Sequence, residues 1–197
     1  MIPRRLVLAT ANRGKAAELA ELVCDWGDVE VTTLADIPEV VLPPEVGASY
    51  AENAIAKARA VAIATGLPAL GDDSGLEVDA LAGAPGLTSA RYAATDEARI
   101  EKLLTALGGV RVAARRARFR CVVALAWPDG HVESAEGGCV GRIADAPAGR
   151  GGFGYDPVFV PSELTCTFAS ATPAEKARLS HRARAVRALG ARLRRVG

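Results

Sequence analysis

The sequence predicts an α/β fold on an elongated mixed β-sheet. Three observations predict it. Strand-like and helical segments alternate through the first 107 residues, a long hairpin pattern intrudes at 117–143, and a helical stretch follows at 173–195. Arg5 to Thr10 reads as a short buried strand, Ala11 to Gly14 as a turn, and Lys15 to Val23 as a helix with Leu19, Leu22 and Val23 on one side. Val29 to Thr33 is a second strand, and Pro38 to Gly47, with its Pro43-Pro44 pair, is a loop. Ser49 with Glu52 makes a capping-box pattern for a helix running to Ala64, which Gly66-Leu67-Pro68 ends. Leu67 to Leu70 is a short buried strand ending in a turn, Gly71-Asp72-Asp73-Ser74-Gly75. Gly83 to Gly86 is a loop, and Asp96 to Leu107 is a helix capped by Thr95. Ala117–Trp127 and His131–Ile143 form the hairpin around Pro128-Asp129-Gly130. A glycine-rich loop, Gly149 to Asp156, leads into a strand at Pro157–Val160. The helical stretch from Pro173 to Arg195 breaks near Ser180-His181.

A chain of 197 residues supports one domain, 1–197, or one domain with a small lobe. Half of it is apolar and aromatics are few, so the core is built from small aliphatic side chains. A net charge of +1 implies no bulk attraction to nucleic acid or membranes, so anion binding has to come from local clusters. Four dispersed cysteines without a Cys-x-x-Cys pair, and only two histidines, argue against zinc; the cysteines read as small buried hydrophobes. No signal peptide or membrane span is visible, which predicts a soluble cytoplasmic protein. Basic positions are filled by 20 arginines and four lysines. Lys15, Lys57 and Lys176 therefore flag places where a compact ammonium suits better than a planar guanidinium.

Four constellations carry chemistry. In the first, Asp72 and Asp73 between glycines suit a hard cation such as Mg²⁺, shared with phosphate; the plain alternative is ordinary turn chemistry. In the second, Thr10-Ala11-Asn12-Arg13-Gly14-Lys15 feeds a helix N-terminus and offers N–H groups and a lysine to phosphate; it lacks the Walker A spacing. Its alternative is an Asn12-capped turn. Glu45 precedes the Ser49 helix as a candidate third carboxylate, and Lys57 lies five residues after Glu52, a poor spacing for an intrahelical pair. In the third, Gly151 to Pro157 places Phe153 and Tyr155 among glycines, suited to stacking on a base or, alternatively, to a loop with two core aromatics. In the fourth, Lys176 and Ser180-His181-Arg182 group donors able to read a base carbonyl, or make a charged helix face.

Together and in this order, LATANRGKAAEL, ASYAENAIAKA, GDDSGLEVDALAGAPGLTSARY, ARFRC, GGFGYDPVF and EKARLSHRARA resemble the non-standard purine nucleoside triphosphate pyrophosphatase family. The resemblance implies two lobes with a central cleft, a homodimer, and Mg²⁺-dependent hydrolysis of ITP, dITP or XTP to the monophosphate and pyrophosphate. It implies that Thr10, Ala11, Asn12, Arg13, Gly14, Lys15 and Lys57 hold the triphosphate. Glu45 and Asp73 serve the metal with support from Asp72, Asp73 accepts a proton, and Ser74 contacts substrate. Phe153, Gly154, Tyr155, Asp156, Lys176, His181 and Arg182 form the nucleoside pocket. Ala11 departs from the family, which often carries Gly or Asn there. The partner implied is a small-molecule nucleotide, with no direct nucleic-acid partner. Rival readings are a pyrophosphatase of modified pyrimidine or methylated nucleotides, an aspartate-nucleophile phosphatase, and a non-catalytic nucleotide or RNA binder.

Overall fold

The computed structural model describes residues 1–195. Its elements, in chain order, are β1 (Arg5–Ala9), α1 (Arg13–Val23), β2 (Glu30–Thr33), α2 (Tyr50–Thr65), β3 (Ala69–Val78), α3 (Asp96–Ala106), β4 (Arg116–Ala126), β5 (Val132–Ile143), β6 (Phe159–Pro161), α4 (Pro173–Leu179) and α5 (His181–Arg195). The six strands make one mixed sheet in the order β2-β1-β3-β4-β5-β6. β1 runs parallel to both β2 and β3, whereas β5 and β6 are antiparallel. The expected α/β class with a mixed sheet is therefore present. No helix among the described residues is long and apolar enough to cross a membrane.

The chain divides into two compact units. One comprises Met1–Asp73, Cys121–Gly137 and the chain from Arg182 on; the other comprises Ser74–Arg120 and Gly138–His181. In the first unit, Leu6, Leu8, Leu19, Leu70, Val123, Leu125, Val186 and Leu189 are fully buried in one apolar cluster. In the second, Leu76, Val78, Leu103, Leu107, Ile143, Phe159 and Phe168 fill the core. Each such side chain contributes about 1.5–3 kcal/mol by leaving water. β4 shows the difference within one strand. It alternates exposed and buried at Arg116–Phe119, then is buried continuously from Cys121 to Ala126, as a strand covered on both faces must be.

Local chemistry sets the helix starts. The Asn12 side chain accepts from the Lys15 N–H at 3.0 Å, so α1 begins at Arg13, two residues before the sequence pattern places it. The Ser49, Thr95 and Thr172 side chains cap α2, α3 and α4 in the same way. Ser180 separates α4 from α5, which is the expected break.

Three expectations change. The sequence reads Gly71 to Gly75 as a turn, but these residues lie inside the ten-residue strand β3. Turn propensity is local, and here it loses to the sheet: β3 lies between β1 and β4, and Val7, Leu8 and Ala9 face Ala69, Leu70 and Gly71. The last strand begins at Phe159 rather than Pro157, because the Val158 and Phe159 N–H groups turn back to the Tyr155 carbonyl. Cys121 and Cys139 are buried thiols as expected, whereas Cys24 is exposed. Burial, then the nearby Asp72 carboxylate, pushes the Cys121 thiol up to about 12, so it stays protonated.

Candidate active site

β3 carries the acidic pair, and strand geometry separates its members. Successive side chains on a strand point to opposite faces. Asp72 shares its face with Leu70, in the cluster packed against α1 and α5. There its Oδ2 lies 3.1 Å from Lys15 Nζ and 3.3 Å from Arg182 Nη2. Arg182, buried, also pairs with Glu18 on α1. Burial would raise the Asp72 pKa, but Lys15 first, then Arg182 and Lys57, outweigh it and hold the carboxyl below the usual range. For Arg182, burial works against the charge and is outweighed by Asp72 and Glu18, so its pKa rises.

Asp73 points the other way, to α2. Gly71 makes that approach possible, because a Cβ there would lie 2.9 Å from the Ala58 nitrogen of α2. Asp73 Oδ2 accepts from Asn53 Nδ2 at 2.8 Å, and Oδ1 lies 4.0 Å from Lys57 Nζ. Lys57 Nζ also sits 2.6 Å from Glu45 Oε1. Lys57 thus answers to a carboxylate outside its helix, consistent with its poor spacing from Glu52. Burial raises the Asp73 pKa, and Glu45 adds to the rise; the Asn53 hydrogen bond, Lys57 and Lys15 offset it only in part.

Glu45 and Asp73 converge on one buried ammonium, which marks a place where positive charge is stabilised. Their oxygens are hard donors. Mg²⁺ commonly takes one or two carboxylates and completes its shell with water and phosphate oxygens. Among the described residues no group of three or more His, Cys, Asp or Glu is placed to hold a metal. The donor set therefore fits an ion shared with a polyphosphate, not a closed protein cage. Asp72, expected to support the same ion, is placed differently from Asp73. It lies on the other face of β3 and is engaged by Lys15 and Arg182.

At the start of α1, Thr10 is buried, Ala11, Asn12 and Arg13 are exposed, and Gly14 and Lys15 are half-buried. A helix N-terminus of this kind, with a lysine on its first turn, suits an anion.

The second unit holds the other constellation. Asp156 Oδ2 accepts from Lys176 Nζ at 2.5 Å and from the Phe153 N–H at 2.9 Å. Lys176 Nζ lies 5.1 Å from the centre of the Phe153 ring. At Gly152, φ is +71°, a backbone conformation that favours glycine, and a Cβ there would also crowd the Asp156 carboxylate and Lys176 Nζ. The Gly154 N–H donates to Asp96 on α3 at 2.7 Å. Tyr155 is a core side chain: it is buried and its hydroxyl donates to the Ser89 carbonyl at 3.0 Å. Burial raises its pKa, so the phenol stays protonated. His181 is buried too, stacked on Phe119 at 4.5 Å with a 10° interplanar angle. Ser74 is half-buried in β3. A 590 Å³ cavity lies between α3 and the glycine-rich loop, with Phe153, Ile100 and Leu104 in its wall.

The sequence pattern assigns no role to Asp96 or Glu18, and it places Asn53 beside Lys57 on the first turns of the Ser49 helix without giving it one. The available signal for Asn53 was an amide in the body of a helix, where its competing hydrogen bonds are unfavourable without a purpose.

An α/β chain with a carboxylate–lysine site on β3 and α2, and a second polar site around a glycine-rich loop, is a class that comparison makes specific. The Ham1 family model matches residues 6–192, and the chain belongs to the Ham1 family. A dITP/XTP pyrophosphatase of Thermus thermophilus is 52% identical over 187 residues, covering 94% of this chain and 89% of that protein. One from Rhodospirillum centenum is 48% identical, covering 96% and 97%. Among solved structures, a HAM1 protein from Coxiella burnetii superposes with a TM-score of 0.85 at 41% identity, covering 97% of this chain and 98% of that one. The Staphylococcus aureus Ham1 protein gives 0.84 at 39% identity, covering 98% and 100%.

Proposed function

We propose that this protein hydrolyses non-standard purine nucleoside triphosphates, dITP, ITP and XTP, to the monophosphate and pyrophosphate. The observation that carries the reading is the convergence of Glu45 and Asp73 on one buried cation position beside a helix start suited to phosphate. The relatives named dITP/XTP pyrophosphatase support the substrate class.

Phosphoryl chemistry asks a protein for alignment and charge neutralisation rather than a covalent nucleophile. Lys15 and the N–H groups at the start of α1 hold the polyphosphate, with Thr10 to Gly14 shaping the turn. Glu45 and Asp73 would hold Mg²⁺, which would neutralise charge on the phosphates and on the leaving pyrophosphate. Asp73 takes the proton as water oxygen attacks the α-phosphorus. The bond from that phosphorus to the bridging oxygen breaks, and pyrophosphate leaves. A carboxyl whose burial already favours protonation is a better proton acceptor than an exposed one. Asp72 does not act on the substrate in this scheme; it anchors Lys15 and Arg182.

Phe153 stacks on the base, and Lys176, fixed by Asp156, donates to the 6-carbonyl. Adenine presents an amino group there and meets a donor with a donor, which leaves polar groups unpaired at about 1–3 kcal/mol each. His181, buried against Phe119, supports this region. A homodimer working in the cytoplasm belongs to the same reading. Product analysis with ITP and Mg²⁺ tests it: pyrophosphate and IMP are expected. Release of inorganic phosphate, or ITP and ATP turned over equally, overturns it.

A further inference from the structure

We propose that Asn53 is the positioning residue that sets Glu45 and Asp73 together for the divalent ion. The inference rests on the metal role given to those two carboxylates above. Asn53 is buried on α2, and both ends of its amide are committed. Nδ2 donates to Asp73 Oδ2 at 2.8 Å, while Oδ1 accepts the Gly47 N–H at 2.8 Å. Gly47 lies two residues after Glu45, in a stretch without regular structure whose Val41 and Val46 side chains are exposed. One side chain thus fixes the rotation of the strand carboxylate and the path of the loop that carries the other.

The neighbouring contacts fit this role. Asn53 and Lys57 are four residues apart and share a face of α2. Asn53 orients what Lys57 neutralises: Lys57 reaches Glu45 Oε1 at 2.6 Å and Asp73 Oδ1 at 4.0 Å. With Oδ2 held by Asn53, Asp73 turns Oδ1 toward the Lys57–Glu45 side. The approach of loop to helix also depends on glycine. A Cβ on Gly47 would sit 2.6 Å from Asn53 Oδ1 and 2.8 Å from Glu52 Cβ. The Ala48 N–H bond to Glu52 Oε2 at 3.0 Å holds the end of the loop but touches neither carboxylate of the site. A carboxamide suits the job better than a carboxylate, because it donates to one partner and accepts from the other without adding a third negative charge.

Three variants test this. Asn53→Ala removes both bonds, Asn53→Asp keeps an acceptor for Gly47 but loses the donor to Asp73, and Gly47→Ala displaces the loop while leaving the donor in place. Two readouts are used: amide hydrogen exchange at Gly47 in metal-free protein, and the Mg²⁺ concentration giving half-maximal dITP hydrolysis. In Asn53→Ala, exchange at Gly47 speeds at least about tenfold, the Mg²⁺ requirement rises about 10–100-fold, and kcat falls, with KM for dITP at saturating Mg²⁺ little changed. Asn53→Asp keeps Gly47 protected yet shows the same loss of kcat. Gly47→Ala raises the Mg²⁺ requirement, and that readout decides the matter if Asn53→Ala does not fold. Unchanged Gly47 exchange in Asn53→Ala, or an unchanged Mg²⁺ requirement in both Asn53→Ala and Gly47→Ala, overturns the proposal. Glu45→Gln and Asp73→Asn run alongside. If they too hydrolyse dITP normally, the metal assignment itself has failed. If they are inactive while the Asn53 and Gly47 variants are normal, only the positioning role has.

Discussion

Asp72 and Asp73 are neighbours in sequence and face opposite sides of β3, one toward Lys15 and Arg182, the other toward Asn53 and Lys57. The same residue type is held ionised on one face and pushed toward its protonated form on the other. The two positions therefore respond oppositely to the same substitution.

Asp73→Asn is expected to lower kcat by about 10²–10⁴-fold while the fold is kept. Burial raises the Asp73 pKa above its unfolded value. Its contribution to stability is full below the ordinary Asp value near 4 and is lost as pH rises through the folded pKa. Removing the charge should therefore raise the unfolding midpoint at pH 7, with the gain vanishing in acid. Urea titrations at pH 7 and pH 4 check the sign.

Asp72→Asn is expected to destabilise at pH 7. It leaves Lys15 and Arg182 without their shared counter-charge in a buried place, a loss of roughly 3–5 kcal/mol. The folded pKa of Asp72 is depressed, so its stabilisation is present above the ordinary Asp value and is lost as pH falls through the folded one. The wild-type and variant stability curves should converge at strongly acid pH. Parallel curves down to pH 2 would contradict the assignment.

Asp96→Ala removes the acceptor that ties the Gly154 N–H to α3. The glycine-rich loop then loses its register beside Phe153, and KM for dITP should rise about tenfold through misplacement alone. The ITP-to-ATP ratio of kcat/KM should fall with it. Steady-state kinetics on both substrates provide the measurement.

Gly71→Ala should cost about 1–3 kcal/mol by forcing β3 away from α2, where a methyl would lie 2.9 Å from the Ala58 nitrogen. Activity should fall further than stability, since Asp73 moves with the strand. Denaturation and kinetics on the same preparation separate the two losses.

Most helices and the hairpin were legible because their signals are local. Ser49 and Thr95 cap where their side chains reach the next turn, and alternation marks the first part of β4. The acidic run was legible as chemistry and misread as geometry. Asp-Asp-Ser-Gly favours a turn in isolation, whereas a place between β1 and β4, with cations from α1, α2 and α5, makes it a strand interior. The scarcity of lysine was informative: Lys15, Lys57 and Lys176 each meet a carboxylate. Asn53, Asp96 and Glu18 stayed hidden because their importance lies in partners 20, 58 and 164 residues away.

A further long reach, from Asp72 to Arg182, bears on events during synthesis. Arg182 follows Asp72 by 110 residues, and the helix it belongs to packs on the earliest strand and helix of the chain. A polypeptide still emerging from the ribosome has Asp72 with Lys15 but no guanidinium. Premature termination anywhere before α5 leaves that carboxylate half-neutralised and the first hydrophobic cluster open.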